Sequence, residues 1–161
     1  MVKNKLEKMF SKTIKAHTEF WGMKLHNNPL SHQNTPGDYI MTYEESNHSI
    51  FNLHLYLVEC KQVTCKEGKG RLAHKRLKQM HDMLSFENKF FMHKAYFCVT
   101  FYDEGWRNSD TYLIPVRVMY GAITSESKVS FNRQDMKSLF SEYEIQMKNG
   151  VLDLWKMTVL K

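Results

Sequence analysis

The sequence predicts an α/β domain in which a mixed central β-sheet is flanked by helices. Three observations carry that expectation. Apolar residues recur at three- and four-residue steps near the N-terminus, strict alternation takes over between residues 51 and 63, and the stretch 95–102 is almost wholly apolar and β-prone. The 161 residues are 42% hydrophobic, with no internal repeat and no linker rich in Gly, Ser or Pro. That reads as a single domain, 1–161, long enough to bury about 70% of its unfolded surface.

Each element follows from a local pattern. In residues 2–20, Leu6, Met9, Phe10, Thr13, Ile14 and His17 fall on one face and lysines fill the other, which predicts an amphipathic helix. Gly22 and Asn27-Asn28-Pro29 end it. Residues 26–37 form a loop closed by Thr35-Pro36-Gly37, and a strand covers 38–43. A polar connection over 44–49 leads to a second strand over 51–63, where Leu53, Leu55 and Leu57 alternate with His54, Tyr56 and Val58. Residues 66–70 are a basic, glycine-marked loop. A long helix is predicted over 72–88, with Ala73, Leu77, Met80 and Leu84 in one narrow arc. The run 95–102 predicts a central strand buried on both faces, followed by another strand over 111–119. A helix over 132–143 is capped by Asn132. The segment 144–160 alternates around Lys148-Asn149-Gly150, a hairpin turn signal.

Composition narrows the function classes. Three cysteines (Cys60, Cys65, Cys98) are too few for a disulfide framework, so a reducing, cytoplasmic setting is expected. No apolar run approaches 18 residues, which excludes a transmembrane helix, and the basic N-terminus lacks the apolar core of a signal peptide. The net charge of +6 is uneven: residues 1–36 carry +4, residues 37–58 carry −3 and residues 59–82 carry +4. Two basic stretches bracketing an acidic one suit a protein that meets a polyanion around an acidic centre, although +6 alone equally describes a solvated surface.

The chemistry centres on Asp38 and Glu59-Cys60-Lys61. Glu59 and Lys61 stand two apart on one strand, so their side chains share a face, and a hairpin-sized connection brings Asp38 towards Glu59. Two converging carboxylates are costly unless a hard divalent cation lies between them, and Mg²⁺ takes such donors with a backbone carbonyl, waters and a phosphate oxygen. Taken alone, acid-x-Lys at a strand end is equally a pair of solvated edge charges. Competing motifs fail. Cys60-x₄-Cys65 lacks a second ligand pair for zinc, His74 and His81 are seven apart, and Lys66-Glu67-Gly68-Lys69-Gly70 has no Ser or Thr ligand for a phosphate loop.

Thr35-Pro36-Gly37-Asp38-Tyr39, an intervening strand, and Leu57-Val58-Glu59-Cys60-Lys61 resemble the motif of the PD-(D/E)xK nuclease superfamily. The segment from Leu55 to Val116 is more specifically similar to Holliday junction resolvases of the RecU and archaeal types, and the resemblance as a whole covers about residues 1–120. The resemblance implies a restriction-endonuclease-like core and a metal-dependent endonuclease acting on DNA, with a branched or four-way junction as substrate and a homodimer as the working form. It implies catalytic roles for Glu7, Asp38, Glu59, Lys61 and Gln79. Mg²⁺, or Mn²⁺ in its place, would be held by Asp38, Glu59 and the Cys60 carbonyl with support from Glu7. Glu19 rivals Glu7 as the helix carboxylate. Ser31, in the loop before Asp38, matches a serine that approaches the scissile phosphate in the archaeal-type enzymes. Lys66, Lys69, Arg71, Lys75 and Lys78 would hold the flanking DNA backbone. The long insertion of the RecU pattern between the N-terminal helix and the catalytic strands is missing. A nicking, restriction-like or exonuclease member of the superfamily, or a non-catalytic nucleic-acid-binding module, remains as the alternative.

Overall fold

In the computed structural model, which describes residues 5–25, 37–43, 54–89, 93–127 and 129–159, the chain is a mixed α/β fold built on a six-stranded mixed sheet. Helix α1 (Lys5–Ala16) buries Leu6, Met9, Phe10, Thr13 and Ile14, the face that the periodicity predicts. It stops four residues short of the expected end. A turn at 17–19 then leads into β1 (Phe20–Lys24), a strand that the sequence did not reveal. Gly22 sits in that strand because α1 lies directly over it. A Cβ there would come within 2.8 Å of Met41 Cγ and 3.2 Å of Ile14 Cδ1.

β1 pairs antiparallel with β2 (Tyr39–Tyr43), which pairs antiparallel with β3 (His54–Cys65). β3 runs parallel to β5 (His93–Asp103), and β5 pairs antiparallel with β6 (Ser109–Pro115). A two-residue strand β8 (Glu144–Ile145) closes the order β1-β2-β3-β5-β6-β8. The apolar run around 95–102 is central, as expected: Ala95 to Phe101 are buried without interruption.

Two further expectations are corrected. Residues 72–88 are not one helix. Arg71–Ala73 form a short strand, β4, paired with β7 (Ser130–Asn132), followed by a 3₁₀ turn at His74–Arg76 and helix α2 only at Met80–Lys89. Of the predicted arc, Leu77 and Met80 are buried, whereas Ala73 and Leu84 are only partly so. Met83 packs inward in their place, and Leu72 joins the same core opposite its strand partner Phe131. Residues 111–119 are not all strand either: β6 stops at Pro115 and Val116 opens helix α3 (Val116–Glu126). Pro115 lacks the N–H that another ladder bond needs, and its fixed φ suits a helix entry.

Helix α4 (Arg133–Phe140) is capped as predicted. Asn132 accepts from Asp135 N–H and the Asp135 carboxylate accepts from Asn132 N–H. The Asn149-Gly150 turn joins β9 (Met147–Lys148) to β10 (Val151–Leu152), with both turn residues at positive φ, and the expected long hairpin is confined to these residues before helix α5 (Lys156–Val159). α1 and the β9–β10 hairpin cover one sheet face, and Thr13 Oγ1 accepts from Leu152 N–H at 2.9 Å. Helices α2, α3 and α4 cover the other. Among the described residues no helix is long and apolar enough to cross a membrane.

The capping box generates a stability prediction. Asn132→Ala should destabilise the protein by about 1 kcal/mol, read as a lowered denaturation midpoint with an unchanged slope in urea.

Candidate functional site

The site grows from the β2–β3 pairing. Tyr39 stands opposite Val58, so Asp38, one residue earlier, is held at the end of β2. Its N–H donates to Val58 O at 2.9 Å, and its Oδ2 accepts from Cys60 N–H at 2.7 Å. On β3, Glu59 is buried at 3% exposure and its carboxylate pairs with Lys61, two residues along on the same face. Cys60 points to the opposite face beside Cys98, its register partner on β5, where burial pushes its thiol well above the ordinary value. Only its backbone is thereby offered to the Asp38–Glu59 side.

Glu7 comes to the same place from α1. Its carboxylate pairs with Lys24 on β1, and its backbone carbonyl accepts from Tyr39 Oη at 2.8 Å. Ser11 Oγ bonds the same phenol at 2.8 Å, so α1 is tied to the residue that follows Asp38. Gln62 extends the seam: its Oε1 accepts from Leu6 N–H and its carbonyl accepts from Arg76 at 2.9 Å.

A cleft of about 390 Å³ opens here, lined by Glu7, Cys60, Lys61, Gln62, Lys75, Lys78 and Gln79 among others. Asp38 and Glu59 do not line it directly. They join it through Cys60, whose N–H binds Asp38, and Lys61, whose ammonium binds Glu59. Gln79 reaches the cleft from the turn before α2 and not from within a helix. Glu19 lies outside α1, exposed in the turn before β1, so Glu7 is the helix carboxylate at the cleft. Ser31 lies outside the described residues.

The basic residues expected as one surface divide in two. Lys75 and Lys78 line the cleft, whereas Lys69 and Arg71 line a second one with Arg133 and Lys137. Lys66 is exposed and stands 3.8 Å from Glu104. Sequence reasoning missed Lys24, Tyr39 and Gln62. The alternation Phe20, Gly22, Lys24 on one side of a strand was the available signal for Lys24, hidden because Gly22 reads as a helix stop.

Electrostatics single out the carboxylates. Burial pushes the Asp38 carboxyl above its ordinary range and the Glu7 charge adds to that, against the Cys60 N–H, Lys61 and Lys24. Burial and then the Asp38 charge push Glu59 up to about 7, against Lys61. Like charges held in a desolvated place, with oxygen donors and one backbone carbonyl beside them, are a donor set that a hard divalent cation relieves. Among the described residues no group of three or more His, Cys, Asp or Glu side chains converges on one point, so the fit rests on the Asp38–Glu59 pair and the Cys60 carbonyl. Compared with known proteins, the chain matches no family model and no curated protein.

The Glu59 shift has a testable sign. Its folded pKa lies above the ordinary 4.5, so the protonated group's contribution to stability is complete below about pH 4.5 and is lost as pH rises through about 7. Glu59→Gln should therefore gain on the wild type between pH 5 and pH 8, by about 1–3 kcal/mol, in metal-free urea unfolding. A constant difference across that range would show that Glu59 is ionised throughout.

Proposed function

We propose that this protein is a divalent-metal-dependent DNA endonuclease of the PD-(D/E)xK superfamily, with a restriction-endonuclease-like core and branched DNA, such as a four-way junction, as its substrate. The observation that carries the reading is the pairing of Asp38 with the Glu59-Cys60-Lys61 strand: two desolvated carboxylates on adjacent strands, tied by the Cys60 N–H, with a lysine on the Glu59 face at a basic cleft. Asp38, Glu59 and the Cys60 carbonyl would hold Mg²⁺ or Mn²⁺, and Glu7 would add charge from α1. A bound Mg²⁺ supplies a water of lowered pKa and offsets charge on the phosphate.

The chain's own residues do the rest. Lys61, fixed by Glu59, orients the attacking water and faces the phosphate oxygens, where negative charge grows as the new P–O bond forms and the old one breaks. Lys75 and Lys78 hold the flanking phosphates, and Gln79 presents its amide to the same space. Lys24 pairs with the Glu7 carboxylate and holds it in place. Cutting two opposed strands of a symmetric junction calls for two copies related by a two-fold axis.

A second reading draws on a specific feature. Glu7 and Glu59 each already have a lysine partner, so the acidic cluster is partly neutralised without a cation, as in a nucleic-acid-binding module.

Cleavage assays with four-way, nicked and linear DNA separate these. Asp38→Asn and Glu59→Gln should each abolish Mg²⁺-dependent cutting while binding stays equal or tightens, because each removes a ligand and a negative charge facing phosphate. Wild-type protein that binds DNA but cuts none of the three with Mg²⁺ or Mn²⁺ would establish the binding module instead. Lys61→Ala should slow single-turnover cleavage by about 10²–10³ while calorimetric Mn²⁺ binding persists. Lost Mn²⁺ binding would instead make Lys61 part of the metal site's support.

A further inference from the structure

The larger of the two basic clefts lies away from the carboxylates. It measures about 610 Å³ and its lining includes Lys69, Arg71, Arg133, Gln134 and Lys137. One wall is the tight turn between β3 and β4, where Lys66 and Lys69 exchange backbone hydrogen bonds at 3.1 and 2.8 Å. Glu67 and Gly68 fill that turn at φ 50° and 74°, the two-residue geometry whose twist matches its strands. Lys69 and Arg71 are two residues apart and both exposed, while Leu72 is fully buried against Phe131. The two cations are therefore presented outward on a rigid hairpin.

The other wall is the first turn of α4. Arg133 is already bound to Asp110 (2.5 Å) and Asp103 (2.9 Å), and holds that wall to the ends of β5 and β6. Gln134 and Lys137, three apart, share the helix face that meets the cleft. Lys137 is half exposed and stands 3.7 Å from Asp110.

No ion pair among the described residues engages Lys69 or Arg71, whereas Arg133 and Lys137 across the cleft are paired with Asp110. Continuity separates this cleft from an ordinary solvated surface. The chain runs from this cleft at 68–71 straight to the candidate site's cleft at 75–79, carrying exposed Lys69, Arg71, Lys75, Arg76 and Lys78 with no acid between them.

We propose that the cleft between the β3–β4 turn and α4 is a second phosphate-binding site, which grips the DNA backbone at a distance from the candidate catalytic centre, with residues 69–78 as the basic ridge between them. Strand geometry sets the distance. Glu59 to Cys65 spans six residues of β3, about 20 Å, which is on the order of six base pairs of duplex. The inference rests on the endonuclease reading for what lies at the first cleft, but not for the grip itself, which needs no metal and no cleavage.

The test is a binding measurement in EDTA, by fluorescence anisotropy, on duplexes of 6 and 24 base pairs over a range of salt. Lengthening the duplex should tighten wild-type binding at least tenfold. In Lys69→Glu/Arg71→Glu/Lys137→Glu that gain should disappear, and the salt slope on the long duplex should fall by about 2.7, or 0.9 for each phosphate that is no longer neutralised. The neutral triple variant with Gln at the same positions should show a smaller loss in the same direction, with a circular dichroism spectrum like that of the wild type. Inorganic phosphate should compete only weakly, because the site recognises a chain of phosphates. An unchanged slope and length gain in the reversed variant would overturn the second site and leave the endonuclease reading intact. So would millimolar phosphate abolishing the length gain without affecting the short duplex, since the cleft would then take a free anion. If the reversed variant behaves as expected but Asp38→Asn still cuts DNA, the grip stands and the endonuclease assignment of Asp38 falls.

Discussion

Parallel pairing of β3 with β5 is the constraint on which the rest of the molecule depends. It places His54–Cys65 and His93–Asp103 in the middle of the sheet, each covered on both faces by a hydrophobic cluster. Charged residues on such a strand lose their water unless the sheet is uncovered beside them. Glu59 and Lys61 are such residues, and their ion pair is the local answer to that cost. The raised proton affinity of Glu59 follows from the same fact, since a carboxylate held on a strand buried on both faces cannot turn away from its neighbours.

The second carboxylate arrives through backbone geometry. Asp38 is oriented by main-chain bonds, from its own N–H to Val58 and from Cys60 N–H to its Oδ2, and neither depends on a flexible side-chain partner. α1 is fastened to the same spot by Tyr39, which bonds both Ser11 and the Glu7 carbonyl. Lys24 pairs with Glu7 and Lys61 with Glu59, and the field of both cations reaches Asp38.

The basic residues are organised by a different rule. The β3–β4 turn and the β4–β7 pairing convert what would be a flexible loop into a ridge with two ends. One end opens beside the acids and the other beside α4, so positive potential extends along one course away from the carboxylates.

Much of this was legible in the sequence wherever the signal is local. The stripe from Leu6 to Ile14, the alternation ending in Glu59 and Lys61, the apolar run of β5, the Asn132 cap and the Asn149-Gly150 turn all reappear in place. The meeting of Asp38 with the Glu59 strand was equally legible, because a strand's two-residue period and a hairpin's register are properties of short segments. What only the tertiary structure decided depends on distant partners. Residues 71–73 carry a pattern that fits a helix, and they become a strand because Ser130–Asn132 offers a ladder. β1 exists because β2 presents an edge and α1 leaves room only for a glycine at position 22. The recruitment of Lys24 to Glu7, and the division of the cations between two clefts, follow from those pairings, since neither the burial nor the hydrogen-bond partner that selects them is encoded within a few residues of the position itself.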